Sequence, residues 1–400
     1  MHSYPDASTV ARAFAPDQPV ILNRPHAAAR AARFFAEKFP GKSMYAVKAN
    51  PSLDLLQILW DSGIIHFDVA SIVEVRLVRS LLPEATLCFM HPVKTRNAVA
   101  EDYHQHGVRT FSLDSDEELA KIVEATSAED GTAASDLNLL VRLRVSSEYS
   151  EYSLASKFGT DLVDVAPLLQ ATRQHCDALG IAFHVGSQAM TPFAYVQALE
   201  RVRAAIAEAA VTVDIVDVGG GFPSSYPGME PPPLEDFFAL IARHFEALPI
   251  SYSAELWCEP GRALCAEYSS LIVKVEKRRG DELYINDGSY GSLFDAAHID
   301  WRFPVHALED DLTQPLAEFS FYGPTCDDGD FMKGPFMLPA DIQAGDYIEI
   351  GMIGAYGAAM KTGFNGFGEA IAVTVEDEPM ASLYTGRPDQ RVSDNVVTLR

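Results

Sequence analysis

The chain is expected to fold as a (β/α)8 barrel followed by a mostly β domain, α/β plus all-β in class. Three observations predict it. Eight short apolar segments alternate with helical stretches between Ser43 and Cys258. Polar and glycine residues gather at the C-terminal ends of many of those segments. Beyond about Tyr268 the alternation gives way to short strand-like runs with few helical patterns between them.

In chain order, Pro19-Val20-Ile21-Leu22 reads as a strand, and His26 to Phe39 as an alanine-rich helix with apolar spacing at Ala29, Ala32, Phe35 and Ala36. The barrel strands are expected at Ser43–Val47, Ile65–Val69, Thr86–Met90, Arg109–Leu113, Leu137–Leu143, Ile181–Val185, Val213–Val218 and Glu255–Cys258. Helices are expected at Leu53–Ser62, Ile72–Leu82, Asp116–Ala125, Thr191–Ala209 and Leu234–Leu248. An open doubly wound sheet shares this alternation and is the alternative fold. Downstream, Ser270–Arg278 and Glu282–Asp287 form a hairpin about Arg279-Gly280-Asp281. Glu318–Tyr322, Asp346–Ile350, Ala370–Val375 and Ser382–Thr385 continue the strand-like pattern. No low-complexity linker separates the two parts. The expected division is a barrel over 22–266 and a second domain from 1–21 and 267–400.

Forty-eight per cent hydrophobic content over 400 residues is ample for two buried cores. Thirty-one Lys and Arg against 56 Asp and Glu give a net charge of −25, which disfavours nucleic acid or an anionic membrane as partner and favours small cations. Cys88, Cys176, Cys258, Cys265 and Cys326 lack paired spacing, so neither a disulfide framework nor a metal site is expected. The first fifteen residues contain Pro5 and Asp6 but no basic region followed by an apolar core, and no segment reaches membrane-spanning length. A soluble, cytoplasmic protein is expected.

Five stretches can carry chemistry. Ser43 to Val47 delivers Lys48 at a strand end before Asn50-Pro51 forces a turn. A lone lysine there more often reaches back to water; in an apolar setting, desolvation favours its neutral amine, which captures aldehydes. Gly219-Gly220-Gly221 after an apolar strand lets backbone N–H groups approach an anion, although glycine clusters are often only turns. No nucleotide-triphosphate loop motif is present. Glu259-Pro260-Gly261-Arg262 offers a carboxylate suited to a ring nitrogen and a guanidinium suited to phosphate. His184 could stack on a flat ring, with Ser187 offering a hydroxyl, or simply be a core histidine. Gly323 to Asp330 joins the thiol of Cys326 to Asp327, Asp328 and Asp330, a set suited to proton donation and to a cationic substrate, without the spacing of a calcium loop. Gly354-Ala355-Tyr356-Gly357 and Phe364-Asn365-Gly366-Phe367 add aromatics on glycine-flanked turns.

YAVKANP, FDVAS, KFG, FHVGSQ, GGGFP, EPGR, NDGSYGS, GPTCD, GAYG and FNGF, in this order from about Ile21 to Gly366, resemble the fold-type III pyridoxal-phosphate decarboxylases, most closely the ornithine decarboxylases. The resemblance implies an alanine-racemase-like (β/α)8 TIM barrel with a C-terminal β-barrel or sandwich domain. Pyridoxal 5'-phosphate is the implied cofactor. It implies that Lys48 bonds the cofactor's aldehyde, His184 stacks on its ring and Glu259 pairs with its pyridine nitrogen. Ser187, Gly220, Gly221, Arg262 and Tyr356 would hold the phosphate, with Gly261 beside them and Asp68 close to the lysine. Cys326 would act as proton donor and Asp327 would bind the substrate's distal amine, with Asp295 and Phe364 also at the substrate. A homodimer with shared active sites is implied, with Lys157 and Asp330 pairing across the interface. The activity implied is decarboxylation of L-ornithine to putrescine, or of L-lysine to cadaverine.

The stretch from Gly291 to His298 is short relative to the eukaryotic enzymes of the family, and Asp328-Gly329-Asp330 with Gly354 to Gly357 leans towards diaminopimelate decarboxylases. Against that alternative, Phe364 to Phe367 lacks an arginine-rich continuation, and Asp295 and Asp327 would repel a second carboxylate. An amino-acid racemase and a catalytically dead regulatory homologue are the remaining alternatives.

Overall fold

The structure, a computed structural model, describes residues 3–154 and 156–384. They fall into two compact units. One comprises 32–223 and 231–261, the other the described residues within 1–31, 224–230 and 262–400.

The first unit is a closed barrel of eight parallel strands. These are Lys42–Ala46 (β1), His66–Val69 (β2), Thr86–Phe89 (β3), Thr110–Leu113 (β4), Asn138–Arg142 (β5), Ala178–Ala182 (β6), Ile215–Asp217 (β7) and Glu255–Cys258 (β8). Their order around the barrel follows the chain, and β8 closes against β1. The parallel pairing, with β6 registered on β7 through Ile181 and Val216, excludes the open sheet. Both faces of these strands are covered, which is why they read as near-continuous apolar runs.

The helices between strands begin where a hydroxyl can satisfy an otherwise orphaned N–H. Ser71, Thr95 and Ser115 accept from the backbone of Glu74, Ala98 and Glu118 respectively. Two helices, Arg96–His106 and Leu162–Arg173, escape the sequence reading. The first buries little beyond Ala98, Val99 and Asp102, so its apolar stripe is faint; the second carries Pro167 in its interior.

Two expected strand ends are corrected. Val47 and Lys48 lie in a 3-10 turn, Val47–Ala49, rather than on β1. β6 starts at Ala178 and ends at Ala182, so His184 stands two residues past it.

The second unit is a nine-stranded mixed sheet. Its long strand Ser269–Arg279 pairs with Val20–Asn23 and Tyr347–Ile350 and bulges near Val275 to pair with Glu282–Ile285. Ser3–Tyr4 and Ile371–Val375 extend one side, and Leu316–Tyr322 and Phe331–Pro339 the other. The strand over Phe331–Pro339 is unexpected because Gly334-Pro335 in its middle reads as a turn. Of the expected run Ser382–Thr385, the first three residues are not in a strand and Thr385 lies outside the described residues. An N-terminal helix, Ala7–Phe14, is capped by Asp6, whose carboxylate accepts from Thr9 at 2.7 Å.

Among the described residues, no helix is long and apolar enough to cross a membrane, and no group of three or more His, Cys, Asp or Glu is arranged to hold a metal ion.

Candidate active site

The inside of the barrel changes character along its axis. Met44, Cys88, Leu140, Ala182, Ile215 and Trp257 form one buried apolar cluster. Side chains two residues further along a strand return to the same face. That rule carries Arg142, His184, Asp217 and Glu259 to the inside, above Leu140, Ala182, Ile215 and Trp257. Asp68 is registered on Cys88 and Ala46. A layer of charged and polar groups therefore caps the apolar plug at the C-terminal strand ends, where barrel active sites lie.

Lys48 Nζ lies 3.3 Å from Asp68 Oδ2. The lysine side chain is 44% exposed and the aspartate 2%, so the expectation of a lysine in an apolar setting is corrected. An ion pair at the mouth positions the amine. Asp68 Oδ1 is buried and has no hydrogen-bond partner among the described residues, a polar atom aimed into the mouth.

His184 Nδ1 accepts from the backbone N–H of Gly186 at 3.0 Å, which leaves Nε2 to carry the proton of a neutral ring. Burial, with Arg142 and Lys48 nearby, holds that ring well below the usual histidine range. Burial, reinforced by Asp217 and Asp68, pushes Glu259 well above the usual carboxylate range.

The glycine turn is sterically required. Gly219 has φ +67°, and a Cβ there would fall 2.0 Å from the Phe183 carbonyl oxygen. A Cβ on Gly220 would lie 2.9 Å from His184 Nε2, and one on Gly221 2.6 Å from the Gly186 oxygen. Gly261 packs its α-carbon where a Cβ would meet Ala49 and Ala46. Ser187 opens a short strand, Ser187–Ala189, that pairs with Ser150–Tyr152. Amine, acid, flat ring and side-chain-free turn together fit pyridoxal phosphate.

The second unit presents two further groups of expected residues. Arg262 is buried in an aromatic box: its guanidinium lies 4.3 Å from the Trp301 ring centroid and 5.1 Å from that of Tyr356. Nη1 donates to Tyr226 Oη at 3.2 Å and Nη2 to Asp295 Oδ2 at 3.3 Å. Asp295, expected at the substrate amine, is thus already matched by a cation. Tyr356 sits at φ +65°, and Gly354 before it is forced, since a Cβ would fall 1.8 Å from the Cys265 oxygen.

Cys326 is exposed, and both its backbone N–H and its thiol lie 3.2 Å from Asn365 Oδ1. Asn365 holds φ +54° inside the Phe364–Gly366 turn. Asp327 accepts from Tyr290 Oη and, at 2.9 Å, from the Gly329 N–H, which keep its carboxylate below the usual range. The Tyr290 ring packs 4.8 Å from Phe364. A cavity of about 690 Å³ is lined by Cys326, Asp327, Asp328, Tyr284, Tyr322 and Phe367, among others.

Asp330 is turned inward, 1% exposed, and accepts from the N–H and hydroxyl of both Ser289 and Thr325. Its carboxylate anchors the Cys326 loop within its own unit. Lys157 is exposed, its Nζ 5.0 Å from the Phe158 ring.

Among the residues of these groups that the sequence did not single out are Arg142, Asp217, Tyr290 and Asn365. The first two were open to a period-two count from the apolar plug. The other two depend on contacts between distant loops and leave no local signal.

The barrel mouth defines a cofactor-dependent enzyme of the pyridoxal type. Residues 26–266 match the family described as "Pyridoxal-dependent decarboxylase, pyridoxal binding domain", and the chain belongs to that family. It is 31% identical over 351 residues to a lysine/ornithine decarboxylase of Selenomonas ruminantium, covering 84% of each chain. It is 30% identical over 363 residues to antizyme inhibitor 2 of Xenopus laevis, covering 82% of this chain and 74% of that one. The crystal structure of the Paramecium bursaria Chlorella virus arginine decarboxylase superposes with a TM-score of 0.80 at 26% identity, covering 92% and 98% of the two chains.

Proposed function

We propose that this chain decarboxylates a basic L-amino acid, ornithine first and lysine second, releasing putrescine or cadaverine and carbon dioxide. The observation that carries the substrate class is Asp327, an exposed carboxylate held ionised by Tyr290 and Gly329 next to the thiol of Cys326. A distal ammonium suits that carboxylate; the second carboxylate of diaminopimelate does not.

When bound, pyridoxal phosphate supplies an aldehyde for amines and a ring that accepts the electron pair left by carbon dioxide. Lys48 would be the amine that holds it, and Asp68 Oδ2 orients Nζ. Glu259 would pair with the ring nitrogen, His184 would offer a neutral imidazole to the ring, and Gly220 and Gly221 would leave room for the phosphate, with Ser187, Gly261, Arg262 and Tyr356 contributing as the resemblance implies. Cys326 donates the proton that completes the amine, its thiol aligned by Asn365 Oδ1. Asp327 binds the distal ammonium and Phe364 flanks it. Asp295 already accepts from Arg262 through Oδ2.

The exposure of Cys326 and Asp327 supports a homodimer in which this loop serves the barrel of a second copy. The similarity to a protein named as an inhibitor supports a second reading, a regulatory homologue without activity. Lys48 and Cys326 are both present in this chain, which favours the enzyme. Carbon dioxide release measured with ornithine, lysine, arginine and meso-diaminopimelate separates these readings. Release from none of them in cofactor-loaded protein would sink the enzyme; preference for diaminopimelate would sink the substrate.

A further inference from the structure

Asp217 has no part in the reading above, yet it ends β7 inside the barrel mouth and is fully buried. Oδ1 accepts the Gly219 N–H at 2.8 Å, which fixes the first turn of the glycine cradle. Oδ2 is buried and meets no N–H or O–H donor among the described residues. The carboxyl of Glu259 follows the adjacent strand on the same inward face, and each acid shifts the other's proton affinity. The Glu259 backbone N–H in turn donates to the Gly219 oxygen at 2.8 Å, so one turn holds both acids.

Two carboxyl groups so placed cannot both ionise cheaply; they share a proton. The charged groups facing them from neighbouring elements are Asp68 on β2, Arg142 on β5 and Lys48 after β1. His184, after β6, is neutral. Burial raises Asp217 to about 6 and pushes Glu259 well above the usual carboxylate range, and the negative charge of Asp68 acts in the same direction.

We propose that Asp217 is a positioning residue that shares a proton with Glu259 and, through that carboxyl, raises the proton affinity of a pyridine nitrogen placed against it. The inference rests on reading Glu259 as the partner of the ring nitrogen. The shared proton is available at Glu259 without uptake from solvent, and the charge left behind is spread over two carboxylates. With one acid in place of two, a pyridinium there has a weaker field to hold its proton. Asp217 would therefore set how alkaline the medium can become before the ring nitrogen loses its charge.

The test uses the full chain freed of cofactor and titrated with 4-deoxypyridoxine 5'-phosphate, a phosphorylated pyridine with no aldehyde for Lys48 to capture. The ring's near-ultraviolet absorbance reports nitrogen protonation from about pH 6 to about pH 10 in wild type, Asp217→Asn, Asp217→Glu and Glu259→Gln. Asparagine keeps the size and the acceptor for Gly219, so it removes the charge and leaves the cradle. In Asp217→Asn the bound ring should lose its proton about one pH unit or more below wild type, with Asp217→Glu restoring the shift. Should Asp217→Asn titrate with wild type while Glu259→Gln shifts, the role of Asp217 is overturned and the reading of Glu259 stands. If Glu259→Gln binds the probe and also titrates with wild type, both fall. Calorimetry of wild type in buffers of differing ionisation heat gives a check independent of any variant's folding. Wild type should bind the probe at about pH 8 with less than half a proton taken up; uptake near one proton contradicts the shared pair.

Discussion

The barrel mouth and the Cys326 loop both gather carboxylates, and they control them by opposite means. At the mouth, burial decides: Glu259 and Asp217 are lifted and His184 is lowered because water has been removed from around them. On the loop, hydrogen bonds decide: Asp327 is exposed, and Tyr290 and Gly329 hold it ionised. A strand end fixes a side chain by the period of the sheet, whereas a loop has to fix one by spending donors on it. Asp330, with four donors converging on it, is that second device in its clearest form.

The largest expected effect breaks the barrel half alone. Lys48→Ala should lower decarboxylation by about four orders of magnitude or more and abolish the near-ultraviolet or visible band of cofactor-loaded protein. Measured carbon dioxide release close to wild type would remove Lys48 from the reaction. The same variant tests whether the two halves meet between copies. Mixed with Cys326→Ala, which lacks the proton donor for the amine, under conditions of subunit exchange, it should restore about a quarter of wild-type amine formation, since half the dimers are mixed and each contains one intact site. No recovery, with exchange shown by mass, would place both halves in one copy.

Next in size is a pH effect that the two regions give with opposite sign. Asp217 is raised from its ordinary 3.8 to about 6, by burial above all. Its contribution to stability is therefore full below about pH 4 and lost as the pH rises through about 6. Asp327 is lowered, so what it contributes is present above the ordinary carboxylate range and lost on acidification. In cofactor-free protein, Asp217→Asn should raise the melting temperature at about pH 7 relative to wild type and leave it nearly unchanged at about pH 4. An equal change at both values would show that the residue's charge carries no such cost.

Asp327→Asn sharpens the substrate half. It removes the charge and keeps the contact with Tyr290, so KM for ornithine and lysine should rise by about tenfold to a hundredfold with cofactor binding unaltered. Unchanged kinetics on both amino acids would send the distal ammonium elsewhere.

How much of this was legible in the sequence follows the same division. Strand after strand of the barrel announces itself, because a strand covered on both faces must be apolar along its length, as Leu139, Leu140 and Val141 are. Lys48, Gly219 to Gly221 and Glu259 stand at ends of such runs and could be found by eye. His184 was found as well, but placed on a strand that stops at Ala182, because Phe183 and Val185 prolong the apolar run past the last registered residue. Asp217 was hidden in plain view within Asp214-Ile215-Val216-Asp217: only the phase set by Ile215 shows that the second aspartate faces inward. The ion pair of Arg262 with Asp295 and the hold of Asn365 on Cys326 join positions more than thirty residues apart. No periodicity or local propensity encodes such a pairing.

The smallest effect concerns that last contact and tests whether the loop half is positioned as tightly as the barrel half. Asn365 Oδ1 is the shared acceptor for the backbone N–H and the thiol of Cys326, and it can serve both because Asn365 adopts the left-handed conformation that asparagine tolerates. Without that oxygen the thiol gains rotamers that point away from the carbon to be protonated. One neutral hydrogen bond to an exposed group contributes about 1 kcal/mol, so Asn365→Ala should reduce kcat about fivefold while KM for ornithine stays within about twofold. Asn365→Asp, which keeps an acceptor oxygen, should recover most of the loss. A variant in which KM rises and kcat holds would mean that the asparagine shapes the substrate pocket and does not aim the thiol. The loop half would then be organised around Asp327 alone.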